Sequence, residues 1–153
     1  MPVRQEAVEI KLEDINNIIS QLGCPNGGNF RKIDGGCYLF INEVMNYNDA
    51  KTLCENKIAN GNPGYLVEPK TTLTSKLIFS EARTMFYPGY WIGVNDVDIE
   101  DIWSYSSTGV PATTTFFRSD QPNVDGDCVG TCDWYKWCDI SCDNNNYFVI
   151  CEF

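Results

Sequence analysis

Four of the chain's eight cysteines crowd into one C-terminal stretch, Cys128-x3-Cys132-x5-Cys138-x3-Cys142. Thiols in such a cluster can oxidise in pairs or hold zinc as thiolates. The x3 spacing departs from the x2 spacing of common zinc sites, and no histidine is present to complete a mixed set. Oxidation is therefore favoured over a four-thiolate zinc site. The positions also nest: 128 with 142, and 132 with 138, share one position sum, as residues facing each other across an antiparallel ladder do. Cysteines four apart along a strand point to the same face. Two rungs, Cys128–Cys142 and Cys132–Cys138, fit a single register on these grounds, and they bracket Trp137-Cys138-Asp139.

Other groups offer binding chemistry rather than catalysis. The run Asp96-x-Asp98-x-Glu100-Asp101 reads as a solvated acidic loop, with an auxiliary calcium site as the alternative. Trp134 and Tyr135 sit between Cys132 and Cys138, where an exposed ring can stack on a ligand or fold back onto a neighbouring loop. Trp91, Trp103 and Trp137 read as core. No enzyme is expected: the chain has no histidine to act as base, and paired cysteines leave no thiolate nucleophile. Asp125 and Asp127 are a carboxylate pair, but nothing in the sequence sets them around a scissile bond.

The elements that position these groups follow from pattern. The length of 153 residues suits one domain, with a rich aromatic complement and a net charge of −10. That charge argues against nucleic acid and anionic membranes as partners, and no apolar run is long enough to span a bilayer. Eight cysteines suggest a secreted, oxidised protein. Met1-Pro2-Val3-Arg4 opens no signal peptide, so the chain reads as a mature secreted segment with an added initiator Met. Residues 6–22 read as a helix, with Val8, Leu12, Ile15, Ile19 and Leu22 at 4-3-4-3 spacing and Gly23 as the stop. Such a seam either packs on its own domain or forms an oligomerising neck over residues 1–23.

Beyond it, Cys24 and Cys37 bracket the turn-rich Pro25-Asn26-Gly27-Gly28-Asn29, read as a hairpin or tight loop. Residues 38–41 read as a strand, and Asn46 caps a helix through Cys54 with Tyr47, Ala50, Leu53 and Cys54 on one face. A second helix spans Thr71–Arg83, with Leu73, Leu77, Ile78 and Glu81 at helical spacing. Residues 90–94 and 147–151 read as strands, separated by a long loop from Asn95 to Asp127. Helices followed by short strands and loops make an α+β domain.

These motifs stand in an order that resembles the C-type lectin-like domain in its long form, across residues 24–153. They are the Cys24/Cys37 pair, Tyr47-x2-Ala50-x3-Cys54, Tyr90-Trp91-Ile92-Gly93-Val94, Gln121-Pro122-Asn123, Asp127-Cys128-Val129, Trp137-Cys138-Asp139-Ile140-Ser141-Cys142 and Tyr147-Phe148-Val149-Ile150-Cys151-Glu152. The resemblance implies a fold of two helices, short antiparallel sheets and a long loop region, with Cys24–Cys37, Cys54–Cys151 and Cys128–Cys142 bonded. It implies a calcium ion held among Gln121, Asn123, Asp125, Asp127 and Asp139. Sugar hydroxyls would meet that ion beside Gln121, Asn123, Asp127 and Asp139, with Pro122 in a cis bond. Apart from the resemblance, an exposed Trp134 ring offers a second route to sugars by stacking on a pyranose face.

The chain departs from the family pattern in three places. Gln121-Pro122-Asn123 pairs two amides where family sites pair an amide with a carboxylate, which weakens attraction for calcium. Gly126 stands where an acidic ligand is often found, and Cys138 stands where an asparagine is. A disulfide sulfur is a poor ligand for a hard cation. The expected function is a secreted lectin that recognises terminal monosaccharides on glycoproteins or microbial surfaces with calcium. The alternative is a lectin-like domain with a degenerate calcium site that binds a protein or mineral surface.

Overall fold

The structure, a computed structural model, describes residues 23–86 and 88–153. The helix expected over residues 6–22 lies outside the described residues.

Strands β1 (Phe30–Ile33) and β2 (Gly36–Met45) form a hairpin around Asp34-Gly35, with φ of 48° and 81°. A two-residue turn of this hand needs positive φ at both central positions, which Asp-Gly supplies. The hairpin thus turns at Asp34-Gly35, and residues 25–29 form only the tight loop between Cys24 and β1. Helix α1 (Tyr47–Glu55) starts where Asn46 Oδ1 accepts the Asp49 N–H at 2.9 Å. Its buried line is Tyr47, Ala50 and Cys54.

Helix α2 (Thr72–Ala82) is capped by Thr71, whose hydroxyl accepts the Thr74 N–H at 3.1 Å. Its buried residues are Ser75, Ile78 and Ala82, whereas Leu73 and Leu77 are exposed. Of the apolar residues at helical spacing, Ile78 faces the core and Leu73 and Leu77 do not. Ser75 tolerates burial because its hydroxyl donates to the Thr71 carbonyl at 2.9 Å, leaving no orphaned polar atom.

The remaining strands are β3 (Ile58–Ala59), β4 (Asn62–Pro63), β5 (Tyr65–Leu66), β6 (Trp91–Asn95), β7 (Ser104–Tyr105), β8 (Cys128–Asp133), β9 (Lys136–Ile140) and β10 (Tyr147–Glu152). One sheet runs β1-β2-β10-β5 and another β7-β6-β8-β9, all antiparallel. Phe40, Val67, Ile78, Ile92, Val129, Trp137 and Ile150 meet in one core, while Tyr47, Leu66, Trp91 and Val149 gather around the α1 face. Trp91 and Trp137 are core as expected; Trp103 is only half-buried. The long loop contributes to that core as well. Phe116 packs edge-on against Trp137, with ring centroids 5.5 Å apart.

All eight cysteines are paired, as Cys24–Cys37, Cys54–Cys151, Cys128–Cys142 and Cys132–Cys138. The Cys54–Cys151 bond closes a separation of 97 residues between α1 and β10. Closing a loop of that size stabilises a domain by about 4–5 kcal/mol in the chain-entropy account.

The pairs form, but the ladder register does not put them face to face. Cys128 stands opposite Ile140 and Cys138 opposite Gly130. An irregularity between Thr131 and Asp133 takes Cys132 out of the ladder, and Cys142 lies beyond the end of β9. Both bonds run diagonally, across Cα separations of 5.1 and 5.8 Å that disulfides ordinarily span.

Candidate functional site

The loop from Gln121 to Asp127 folds down over the end of β9, with the Gln121–Pro122 bond cis. Asp139, on β9, is 3% exposed. Its Oδ1 accepts the Asn123 N–H at 3.0 Å, and its Oδ2 accepts the Gly126 N–H at 3.4 Å. Gln121 Oε1 accepts the Asp139 N–H at 3.2 Å, and Asn123 Oδ1 accepts the Asp125 N–H at 2.8 Å. Gln121, Asn123 and Asp139 are therefore brought together, but the oxygens of Asn123 and Asp139 already serve loop N–H groups and that of Gln121 serves the β9 backbone. Their arrangement holds a loop in place and does not, as it stands, present an open ring of oxygens to an ion. Asp125 is exposed and points into no carboxylate cluster.

Gly126 makes this closure possible. A Cβ there would collide with the Ile140 carbonyl and the Ser141 nitrogen. An acidic ligand could not occupy position 126 without lifting the loop off β9. Cys138, beside Asp139, is 6% exposed and committed to Cys132.

Asp127 faces the other way. One carboxylate oxygen from each of Asp96, Glu100 and Asp127 lies within 4.8 Å of the other two. Asp96 follows β6, is 3% exposed, and donates its N–H to the Asp127 carbonyl at 3.0 Å. Its Oδ2 accepts the Asp101 N–H at 3.0 Å, while its Oδ1 is buried with no partner. Burial pushes the Asp96 carboxyl above its ordinary range, the hydrogen bond from the Asp101 N–H opposes that rise, and the neighbouring Asp127 carboxylate adds to it. The Glu100 carboxyl is raised chiefly by the charge of Asp96.

Three like charges around an orphaned oxygen are unfavourable unless a proton or a cation joins them. Hard carboxylate oxygens, one of them buried and unsatisfied, fit calcium. This set was legible only as the acidic run 96–101. Asp96 and Glu100 lie four apart just after a buried strand, but nothing local shows that Asp127 returns to meet them.

Trp134 occupies the two-residue turn between β8 and β9, with φ of 55° and 72% exposure. Its ring lies parallel to that of Phe79 on α2, with centroids 6.4 Å apart. It stands at the far end of the β8–β9 hairpin from Asp139, five residues along a strand and so about 16 Å away.

A profile for the Lectin C-type domain matches residues 43–153. The chain belongs to the C-type lectin family. Among related proteins, collectin-10 of Xenopus tropicalis is 32% identical over 127 residues, covering 80% of this chain and 44% of that protein. Lectin BRA-3 of Megabalanus rosa is 30% identical over 132 residues, covering 82% of this chain and 76% of that protein. The chain spans less than half the length of the collectins it matches. The carbohydrate-recognition domain of mouse scavenger receptor C-type lectin aligns with a TM-score of 0.71 at 26% identity, over 82% of this chain and 93% of that one. Human lithostathine has the same fold, with a TM-score of 0.73 at 24% identity over 87% of this chain and 92% of its own. A C-type lectin domain is a recognition module, and this one is not an enzyme. No helix among the described residues is long and apolar enough to cross a membrane.

Proposed function

We propose that this C-type lectin domain is an extracellular, calcium-assisted carbohydrate-binding module that recognises terminal monosaccharides. The observation that carries the reading is the partnerless buried Oδ1 of Asp96, set among the carboxylates of Glu100 and Asp127. A calcium ion bound there supplies the positive charge that these oxygens lack. The residues' own part is positional. Asp127 anchors one end of the 121–127 loop beside Asp96, while Asp139 holds its middle through the Asn123 and Gly126 N–H groups.

With their oxygens engaged, the Gln121 and Asn123 amides still have NH2 groups that donate no hydrogen bond among the described residues. Two side-chain donors beside the buried Asp139 make a polar pair suited to sugar hydroxyl oxygens. Glycans on glycoproteins or microbial surfaces are the partners this reading assigns. Relatives named as lectins and collectins support it. Residues 1–23 serve in it as an oligomerising neck, which raises the avidity of a weak site. Sedimentation of the full chain and of residues 24–153 checks that part, since a monomeric full chain removes the neck.

A second reading has a specific observation behind it. Asp139 is turned to the loop, Gln121 to the β9 backbone, and Cys138 is oxidised, as in a domain whose sugar site has degenerated in favour of a protein or mineral surface. Retention of the full chain on mannose and galactose resins, with elution by EDTA, separates the two. Retention that EDTA reverses supports the lectin reading. No retention, together with no calcorimetric heat from calcium, refutes it in favour of the second.

A further inference from the structure

Away from the acidic loops, the turn of the β8–β9 hairpin leans against the outer face of α2. The two enclose a cleft of about 410 Å3 lined by Lys76, Phe79, Ser80, Arg83, Trp134 and Tyr135. That volume lies within the range of small-ligand sites. Phe79 and Trp134 present parallel rings, 3° apart in tilt. Lys76 and Lys136 bring their ammonium groups 5.8 and 5.1 Å from the centre of the Tyr135 ring. Neither lysine, nor Arg83, takes part in an ion pair among the described residues. Asp133 is the acidic side chain nearby, lining an adjoining recess with Lys76 and Lys136.

Three cations without an ion-pair partner among the described residues therefore gather beside the aromatic side chains, in a chain whose net charge is −10. Trp134 makes the cluster pointed. A two-residue hairpin turn with positive φ at its first central residue favours glycine there, yet an indole occupies it with 72% of its surface exposed. Neither the turn nor the core calls for that side chain.

We propose that this cleft is a second, calcium-independent binding site for an acidic pyranoside, a sugar ring bearing a carboxylate or sulfate. The apolar C–H face of the ring lies on the exposed Trp134 indole, which Phe79 backs by stacking. Its anionic group faces Lys76 and Arg83, with Lys136 at the rim. A neutral sugar gains only the stacking, and a cation is repelled by the three basic groups.

The test uses the 15N-labelled full chain in EDTA, which silences the Asp96 cluster and keeps this result separate from the calcium reading. Methyl β-D-glucuronide, methyl β-D-glucopyranoside 6-sulfate and the uncharged methyl β-D-glucopyranoside are titrated while the Trp134 indole N–H and the Ser80 and Arg83 amides are followed. At least one acidic glycoside is expected to shift these signals with a Kd at least fivefold tighter than the neutral glycoside, and the two acidic arms show whether carboxylate or sulfate is preferred. Binding should weaken as salt rises. Lys76→Glu with Arg83→Glu should weaken it at least tenfold. Trp134→Asn, which tolerates the turn's backbone, should do the same with other amide positions unchanged.

Equal binding of the neutral glycoside, shifts confined to other parts of the domain, or indifference to the charge reversal would each overturn the proposal. So would an acidic hexapeptide that binds as tightly as the better acidic glycoside, because the cleft would then read charge without the ring.

Discussion

Replacing Asp96 with asparagine should change stability in opposite directions with and without calcium. Asp96 Oδ1 is buried and unpartnered, with the carboxylates of Glu100 and Asp127 beside it. Leaving such an atom unsatisfied costs about 1–3 kcal/mol. In Asp96→Asn, one side-chain oxygen can still accept the Asp101 N–H, and the new NH2 donates toward the two neighbouring carboxylates. In EDTA the variant should therefore be more stable than the parent by about 1–3 kcal/mol. For a domain of this size that is a rise in Tm of roughly 2–12 °C. With calcium at a hundredfold excess over Kd, the parent gains about 2.7 kcal/mol by mass action, roughly 5–11 °C, and the variant loses most of that gain.

Acidity adds a second signature. The folded-state pKa of Asp96 is raised above its ordinary 3.8, so the folded form holds its proton longer than the unfolded chain. Stability of the calcium-free parent should then fall as pH rises from 3.8 through that raised value. The calcium increment should shrink over the same window as pH is lowered, because the ion competes with the proton. Differential scanning calorimetry of parent and variant, with calcium and with EDTA, reads all of this. A variant less stable than the parent in EDTA, or one with an undiminished calcium increment, refutes the reasoning.

Three further outcomes can be checked by urea or thermal unfolding. Gly126→Ala should destabilise the domain by about 1–3 kcal/mol, because the added methyl meets the Ile140 carbonyl; an unchanged midpoint would mean the loop does not lie on β9. Replacing Cys54 and Cys151 by alanine should cost about 4.7 kcal/mol, and replacing Cys132 and Cys138 about 2.4 kcal/mol, since the closed loops differ so much in length. Equal losses would mean native-state contacts, not chain entropy, dominate. Burial raises the Glu152 carboxyl above its ordinary 4.5 despite hydrogen bonds from the Glu68 N–H and the Tyr65 hydroxyl. In an Asp96→Asn background, stability in EDTA should fall as pH climbs above 4.5, and Glu152→Gln should flatten that slope. An identical slope in the glutamine variant would remove Glu152 as its source.

Much of the architecture is written in short-range signals. Asn46 and Thr71 cap helices where a side-chain oxygen precedes a periodic stretch, and β6 and β10 follow apolar, β-branched runs. The cysteine pairs in the β8–β9 hairpin were readable as partners, but not their register, because nesting cannot reveal that Cys132 leaves the ladder at an irregularity. Of the buried line of α2 only Ile78 was legible, because Leu73 and Leu77 look like core, whereas Ser75 is admitted by a local hydrogen bond.

At the site, residue types suggested an oxygen cage among Gln121, Asn123 and Asp139. What the sequence does not encode locally is where backbone N–H groups of a folded loop will point. Those groups claim the oxygens of Asn123 and Asp139, the Asp139 N–H on β9 claims that of Gln121, and Gly126 reveals the close approach only once β9 is beside it. Asp127 meets Asp96 through tertiary closure across some thirty residues, which no spacing rule reaches.

The closed state of the 121–127 loop has a kinetic corollary. Any ligand that must touch the carboxylate of Asp139 has to wait until the Asn123 and Gly126 amides let go. In stopped-flow mixing, the observed association rate for such a ligand would rise with concentration and then level off at the rate of loop release. A ligand that needs only the unused NH2 groups of Gln121 and Asn123 would show no such ceiling.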